Sequence, residues 1–233
     1  MLSLSFEGIV QDFLHLFYPE CCSACSNALV KGERIICTDC LLELPQTDYH
    51  LDPGNHLRRR LEGRIPLMHV LAFLKFTKNG RIQHLLHNLK YRRQPEIGVA
   101  LGKLYAHKLK DAGLALGVDM LIPVPLHETR LRKRGYNQSA KFAEGLAEIL
   151  EIPVCEKALI RKSRTDTQTR KNKLRRWENV SEVFGVIDNS SISGKHILIA
   201  DDVITTGATV EACGHALLAN GADKISIACI AEA

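Results

Sequence analysis

Residues 196–209 read HILIADDVITTGAT, and this stretch decides the fold. Its apolar first half predicts a buried central strand, which two adjacent carboxylates end. A loop of small and hydroxyl-bearing residues follows, and apolar residues at helical spacing from Val210 to Asn220 predict a helix. Open α/β sheets bind ligands at the carboxyl ends of their strands, and helix N-termini favour phosphate. The stretch therefore predicts a site for a phosphorylated sugar.

The residue types in this loop suit an anion. Gly207 lets the backbone approach a phosphate closely, and the three threonines add hydroxyl donors. Asp201 and Asp202 then lie where sugar hydroxyls or a hydrated cation would be. The alternative is an ordinary strand-to-helix turn, but capping a helix needs only one polar side chain. Neither the P-loop pattern nor G-x-G-x-x-G is present here.

The stretch resembles the phosphoribosyl pyrophosphate (PRPP) motif of type I phosphoribosyltransferases. In that motif, hydrophobic residues lead to two acidic residues and then to a loop rich in Thr and Gly. The resemblance implies that Asp201 and Asp202 are catalytic residues that contact the ribose hydroxyls of PRPP. The residues implied to hold its 5′-phosphate are Thr205, Thr206, Gly207, Ala208 and Thr209.

The composition is that of a globular protein. The 233 residues can hold one α/β domain and a small appendage, with 45% hydrophobic and 24% charged residues and a net charge of +5. No apolar run approaches the roughly 20 residues of a membrane span. The N-terminal segment lacks a basic n-region and contains Glu7 and Asp12, so a secretory signal is not expected. We therefore expect a cytoplasmic protein without a membrane span.

Five of the eight cysteines lie between residues 21 and 40. Cys22, Cys25, Cys37 and Cys40 form two CxxC pairs separated by eleven residues, a spacing typical of zinc ribbons. Cys21 could replace Cys22 as the first ligand, and a set of reduced structural cysteines is the alternative. Because four thiolates leave no open coordination position, Zn²⁺ here would be structural.

Composition also suggests how the chain is divided. Apolar residues from Phe6 to Phe17 at helical spacing predict a helix that packs against its surroundings or, less simply, lies on a membrane surface. The stretch from Pro45 to Pro66 is rich in Pro, Gly, His and Arg, which favours a linker. We expect an N-terminal helix and four-cysteine zinc finger over 1–47, a linker over 48–65 and a phosphoribosyltransferase-like domain over 66–233.

Alternating strands and helices in the main domain predict an α/β fold: a mostly parallel sheet flanked by helices. The predicted helices lie near residues 82–93 and 96–110, and a third, capped by Asn137 or Ser139, carries apolar residues at 142, 146, 149 and 150. Besides the central strand, predicted strands cover 68–76, 118–122, 154–160, 183–187 and 224–230.

A second strand-to-helix junction, PVPLHETRLRKRGYNQS over residues 123–139, is strongly basic. It is predicted to lie on the same edge of the sheet and is the candidate loop for the pyrophosphate of PRPP. The alternative is a solvated basic turn. The polar stretch 161–179 lacks apolar periodicity, which favours either a flap that closes over a polyanion or a surface loop. Its basic residues are Arg170, Lys171, Lys173, Arg175 and Arg176.

Taken together, these features resemble the ComF family and its GntX-like relatives, competence-associated proteins that join a zinc finger to a phosphoribosyltransferase-type domain. The resemblance implies PRPP binding, with Mg²⁺ bridging pyrophosphate and ribose oxygens. It also implies that Val124, Pro125, Leu126 and Arg130 lie near the pyrophosphate. The matching features are the four-cysteine knuckle (residues 22–40), Lys90-Tyr91, PVPLH…RLRKRGYNQ, Arg164-Thr165 with Gln168, Arg176, Asn179-Val180 and the PRPP motif.

Two functions remain open on the sequence. The first is a PRPP-binding protein that supports DNA uptake in natural transformation, together with uptake proteins and single-stranded DNA. The second is an active transferase that moves phosphoribose from PRPP to an unidentified acceptor and releases pyrophosphate, with residues 45–90 and the knuckle as the candidate hood. The basic segments that favour DNA are 58–60, 92–93, 130–134 and 170–176, beside Tyr91, Tyr136 and Trp177.

Overall fold

A computed structural model describes residues 19–114, 116–161 and 183–233. The helix predicted up to Phe17 and most of the polar stretch 161–179 lie outside the described residues. The same holds for Trp177 and for the basic segment 170–176. None of the described helices is long and apolar enough to span a membrane.

Strands and helices alternate along the described chain. The N-terminal part contains α1 Thr38–Leu42 and α2 His56–Leu61. The remaining elements, in chain order, are β1 Val70–Lys75, α3 Arg81–Tyr91, α4 Glu96–Asp111, β2 Met120–Pro123, α5 Glu128–Arg134, α6 Gln138–Leu150, β3 Leu159–Arg161, β4 Phe184–Val186, a 3₁₀ turn Asn189–Ser191, β5 His196–Ile204, α7 Ala208–Ala219 and β6 Lys224–Glu232.

The main sheet has the strand order β1-β6-β5-β2, and every pairing is parallel. Strand β5, the one the sequence places at the centre, pairs with β6 on one side and β2 on the other. The residues of its apolar run are fully buried and alternate between two cores, because successive side chains of a strand point to opposite faces. Burial on both faces explains why this strand is continuously apolar.

Helices cover both faces of the sheet. Leu198 and Ala200 pack in one core with α3, α4 and α6, while Ile197 and Ile199 pack in the other with α7. Helices α4 and α6 touch backbone to backbone, since a Cβ on Gly145 would lie 2.1 Å from a main-chain oxygen of α4. This close approach fixes α6, whose first turn reaches the carboxyl edge of the sheet. The predicted α/β architecture is confirmed.

Two strands differ from their predicted extents. Within 154–160, only Val154 bridges β2, at Leu121, and the chain then leaves the main sheet to form an antiparallel pair between β3 and β4. Strand β5 continues past the acidic pair because Val203 and Ile204 still pair with β6. The two carboxylates therefore lie on regular sheet backbone rather than in the loop.

The segment 48–65 is folded against the sheet. The Asn55 side chain caps α2 at Arg58 N, at 2.9 Å, and donates to Val70 O at 2.9 Å. Leu57 and Leu61 of α2 are buried in the core that also contains α7. The division of the chain at 1–47, 48–65 and 66–233 stays a prediction, but α2 is an ordered part of this core.

The cysteine-rich segment packs on α3. Asn88 Nδ2 donates to Ser23 O at 2.8 Å, and Arg81 donates to Asp39 O at 3.0 Å while its guanidinium pairs with Glu43 at 2.7 Å. Buried side chains of this segment join the core formed by α3, α4 and α6. These contacts hold the knuckle against the first helix of the main domain.

Candidate functional site

The acidic pair lies at the carboxyl end of β5, and each carboxylate has different partners. Asp201 is buried and its Oδ1 accepts from Ser139 Oγ at 3.0 Å and from the Asp202 backbone N at 2.8 Å. The half-buried Asp202 pairs through Oδ2 with Lys90 Nζ at 2.9 Å. Helices α3 and α6 thus each supply one partner to the pair.

Burial, and after it the neighbouring charge of Asp202, raises the pKa of Asp201 to about 7. The donors Asp202 N and Ser139, together with the cationic Lys90, offset part of this rise. At neutral pH the Asp201 carboxyl is therefore poised between its two protonation states. A ligand that brings hydroxyl donors or positive charge would favour the ionised form.

Asp201→Asn is expected to flatten the pH dependence of stability. The unfolded chain releases this proton near the ordinary pKa of 3.8, whereas the folded chain holds it to about pH 7. The folded state then binds more protons in this window, so the free energy of unfolding falls as the pH rises through it. Because asparagine stays neutral, the variant should be more stable than the wild type by roughly 2–4 kcal/mol at about pH 8.

Urea unfolding at about pH 5 and about pH 8 measures this effect. Asp48→Asn is the matched control, since Asp48 is exposed and its carboxylate pairs with Lys108 at 3.1 Å. A wild-type slope that survives unchanged in Asp201→Asn would contradict the assignment of the raised pKa to this carboxyl.

The loop after β5 forms a small anion-sized cradle. Gly207 has φ +79° and is the N-cap of α7, with no side-chain cap, so the first N–H groups of that helix face the loop. Ala208 N donates weakly to Thr206 Oγ1 at 3.4 Å. The cradle encloses about 30 Å³ and is lined by Asp201 and the continuous stretch 203–210. Thr205, Thr206, Ala208 and Thr209 are exposed and accessible to a ligand.

The second junction is tied to the first by backbone contacts. Val124 N donates to Ala200 O at 2.8 Å, and Asn137 Nδ2 donates to Val124 O at 2.9 Å. Asn137 is the cap of α6, since its Oδ1 accepts from Ser139 N at 3.1 Å. The structure therefore places Val124, with the half-buried Pro125 and Leu126 after it, beside the end of β5. Arg130 lies farther along, exposed on α5.

Helix α5, which the sequence treats only as a basic junction, forms one wall of a basic pocket of about 370 Å³. Five of its six lining residues are cationic, and the sixth is Tyr91, whose exposed fraction is 66%. The Arg134 guanidinium lies 5.5 Å from the centroid of the Tyr91 ring. The basic pocket is defined by Lys90, Tyr91, Arg93, Arg130, Lys133 and Arg134. Lys90 joins it to the acidic pair.

Two arginines of the basic segment 58–60 are engaged by other parts of the protein. Arg58 donates to Leu67 O at 3.0 Å and to Met68 O, and Arg60 donates to the backbone of the loop that follows β5. The Tyr136 hydroxyl donates to a main-chain oxygen of α3, so this ring is a packing residue. Among the basic segments that the structure describes, those that line the basic pocket are the best placed for a polyanion.

Two partners of the acidic pair were missed as site residues by the sequence reasoning. Ser139 was read only as a helix cap, and Lys90 only as part of a family resemblance. A hydroxyl in the first turn of a helix carries no sequence signal of its own for contact with a carboxylate 62 positions away. Only the folded chain brings these groups together.

The four cysteines of the two CxxC pairs converge. The Sγ atoms of Cys22, Cys25, Cys37 and Cys40 all lie within 4.8 Å of one another, and Cys25 and Cys37 are 3.8 Å apart. Four bonds of about 2.3 Å to a tetrahedral Zn²⁺ place sulfurs about 3.8 Å apart, so the cluster fits this metal. Cys21 is exposed and its Sγ contacts Pro19 O at 3.5 Å instead.

The backbone around the cluster favours a thiolate at Cys22. Burial would raise the pKa of this thiol, but backbone N–H groups of Cys37, Cys25 and Ala24 lower it to about 7. Cys37 N lies 3.2 Å and Ala24 N lies 3.4 Å from Cys22 Sγ. Since metals bind the thiolate form, this environment suits a metal ligand.

Comparison with known proteins agrees with the fold. The phosphoribosyl transferase domain family matches residues 137–233. DNA utilization protein YhgH of Shigella flexneri is 32% identical over 213 residues, which cover 90% of this chain and 88% of the relative. Competence protein F of Haemophilus influenzae is 27% identical over 198 residues, covering 84% of this chain and 78% of the relative.

Among solved structures, the allosteric regulatory enzyme of purine biosynthesis overlaps 61% of this chain and 29% of its own, with 20% identity and a TM-score of 0.44. With the phosphoribosyl transferase domain, the four-cysteine cluster and a 32% identity that extends over nine-tenths of its length, the chain belongs to the ComF family.

Proposed function

We propose that the protein binds PRPP at the carboxyl end of β5. The observation that carries this proposal is the adjacency of two carboxylates to an open phosphate cradle on one strand-to-helix turn. The 5′-phosphate lies in the loop 205–209, where helix N–H groups and hydroxyls converge. Asp201 and Asp202 then accept hydrogen bonds from the ribose hydroxyls.

The pyrophosphate of PRPP lies toward the second junction in this proposal. Val124, Pro125 and Leu126 bring their backbone beside the end of β5, and Arg130 brings positive charge from α5. When bound, Mg²⁺ would neutralise pyrophosphate and ribose oxygens, and the oxygen-only donors of this edge suit such a hard cation. The basic pocket would add further neutralisation of a highly charged ligand.

Gly207→Ala is expected to weaken PRPP binding about tenfold, because a left-handed backbone at a non-glycine residue costs about 1–2 kcal/mol. In addition, a Cβ here would lie 2.3 Å from Leu61 Cδ2, so either the buried Leu61 side chain or the loop must shift. Calorimetry with PRPP and Mg²⁺ measures the loss. Gly113→Ala is the control, since it has φ +65° and open space around the new Cβ. Wild-type affinity in Gly207→Ala would contradict the cradle.

We further propose that PRPP binding serves DNA utilization and uptake in natural transformation. The support is family membership, since the relatives named above carry DNA-utilization and competence names. The experiment is a transformation assay in the organism that encodes this chain. Complementation of a deletion by the wild type, but not by the acidic-pair variant Asp201→Asn with Asp202→Asn, is the expected result. Equal complementation by both proteins would contradict the proposal, because DNA uptake would then not depend on PRPP binding.

Single-stranded DNA is a second candidate ligand, and the basic pocket favours it. An exposed aromatic ring beside five cations can stack a base and neutralise phosphates. Within the described ranges, Arg93, Arg130 and Lys133 are not ion-paired to a carboxylate. A salt titration of affinity for an oligonucleotide tests this, and affinity that is absent or insensitive to salt contradicts it.

A transferase reaction is the remaining candidate, and the intact acidic pair and cradle favour it. The reaction would form a bond between an acceptor nucleophile and the anomeric carbon while the bond to pyrophosphate breaks. Release of pyrophosphate from PRPP and Mg²⁺ in a screen of acceptors tests it. If PRPP binds but no acceptor releases pyrophosphate, the transferase candidate is contradicted and the binding function remains.

The four-cysteine cluster is proposed to hold one structural Zn²⁺. All four ligands are protein thiols, which leaves no open position for chemistry. The knuckle then acts by packing on α3, whose C-terminal end carries Lys90 and Tyr91. Its contribution to the ligand site is indirect.

A further inference from the structure

Two arginines that no binding role yet includes contact the back of the phosphate cradle. Arg64 donates from one guanidinium nitrogen to Thr206 O at 2.7 Å, and its other terminal nitrogen pairs with Glu211 in the first turn of α7. Arg60 donates to Thr205 O in the same loop. Both loop carbonyls that precede Gly207 are thereby held by a positive side chain.

Arg60 is itself fixed by a buried carboxylate. Its guanidinium lies 3.4 Å from Glu232 Oε2, and the Glu232 side chain is only 3% exposed. Glu232 Oε1 also accepts from the Tyr49 hydroxyl at 2.6 Å. A buried carboxylate held by two donors is a rigid anchor, so the Arg60 side chain has little freedom to leave the loop.

Apolar side chains of the same segment lie against the loop and its helix. A Cβ on Gly207 would meet Leu61 at 2.3 Å, and one on Gly214 of α7 would meet Ile65 at 2.1 Å. The segment 60–65 and the cradle are therefore in direct contact. His215 Nε2 lies 2.9 Å from Arg64 O, which adds a polar contact along α7.

We propose that Arg60 and Arg64 are positioning residues for the phosphate cradle, an inference that rests on the proposed PRPP function. Each peptide of the loop can point either its carbonyl or its N–H toward a bound anion. Guanidinium groups on the outer side hold the carbonyls of Thr205 and Thr206 away from the cradle, so the N–H groups stay turned inward. The two positive charges also lie behind the bound phosphate and favour its dianion.

Geometry distinguishes this role from a simple surface charge. The planar guanidinium of Arg64 reaches a carbonyl and a carboxylate at once, which a lysine ammonium on its flexible stem does not reproduce. Arg64→Lys should therefore restore only part of the affinity lost in Arg64→Gln. The segment 48–65, predicted as a linker, supplies both arginines.

The test compares two ligands that use different parts of the site. Ribose 5-phosphate requires the cradle, whereas pyrophosphate binds at the second junction. Arg64→Gln and Arg60→Gln should each weaken ribose 5-phosphate about tenfold and leave pyrophosphate within about twofold in calorimetry. Arg81→Gln is the matched control, because Arg81 also donates to a carbonyl and pairs with a glutamate, but on α3.

Hydrogen exchange of the ligand-free proteins gives a readout independent of affinity. Amides of residues 205–209 should exchange faster in Arg60→Gln and Arg64→Gln than in the wild type and in Arg81→Gln. Unchanged exchange, or equal losses for both ligands, would overturn the positioning role. If the wild type binds neither ligand, the proposed PRPP function fails, while the exchange data still decide whether the arginines order the loop.

Discussion

Replacing both carboxylates, in Asp201→Asn with Asp202→Asn, is expected to lower the affinity for PRPP with Mg²⁺ at least about a hundredfold. A hydrogen bond to a charged group contributes about 1.5–3 kcal/mol, so two of them correspond to a factor of about a hundred or more. The fold should remain, because an asparagine Oδ1 at position 201 can still accept from Ser139 and from the backbone at 202. Calorimetric titration measures the affinity, and circular dichroism checks the fold.

The matched control for this pair removes two negative charges elsewhere. Asp48→Asn with Asp223→Asn alters two exposed carboxylates, each of which pairs with a lysine. The control should bind PRPP like the wild type. If the acidic-pair variant binds equally well, the assignment of the ribose site to the end of β5 is wrong.

Cys37→Ser with Cys40→Ser is expected to abolish zinc binding and to lower the melting temperature by about 10 °C. The estimate assumes that the free energy of unfolding falls by about 3 kcal/mol. For a chain of this size, each kcal/mol lowers the melting temperature by about 2–4 °C. The physical reason is that Cys37 and Cys40 are buried in the core shared with α3. Without the metal, the remaining thiols and the new serine hydroxyls would lie in this apolar environment without a ligand to bind. Elemental analysis should find one zinc per wild-type chain and none in the variant.

Cys21→Ser is the control for the zinc prediction. Cys21 is exposed and lies outside the four-sulfur cluster, so this variant should keep its zinc and its melting temperature. A wild-type protein that is folded and free of metal would contradict the proposed zinc site.

The fold could be predicted from the sequence because its signals are local. The apolar run before Asp201, the acidic pair itself and the helical spacing after Gly207 specify a buried strand, a turn and a helix within a short stretch. The spacing of the two CxxC pairs likewise predicts a shared metal site, and the four Sγ atoms do lie close together in the structure. In each case, the residues that define the feature are close in the chain.

The remainder of the site depends on contacts between distant segments. Ser139 and Lys90 reach the acidic pair from two different helices, and Arg60 and Arg64 reach the loop from a segment whose Pro, Gly and Arg content favours a linker. Within 48–65, a helix of only six residues buries Leu57 and Leu61. So short a helix carries too little periodicity to be recognised before its packing partner is known.

The proposed PRPP site is tested most directly by calorimetric titration of the full chain with PRPP in the presence of Mg²⁺. We expect saturable binding of one PRPP per chain, weakened when Mg²⁺ is chelated and displaced by ribose 5-phosphate. Absence of binding at millimolar PRPP, from a protein shown to be folded, would contradict the assignment of the phosphate cradle and the acidic pair.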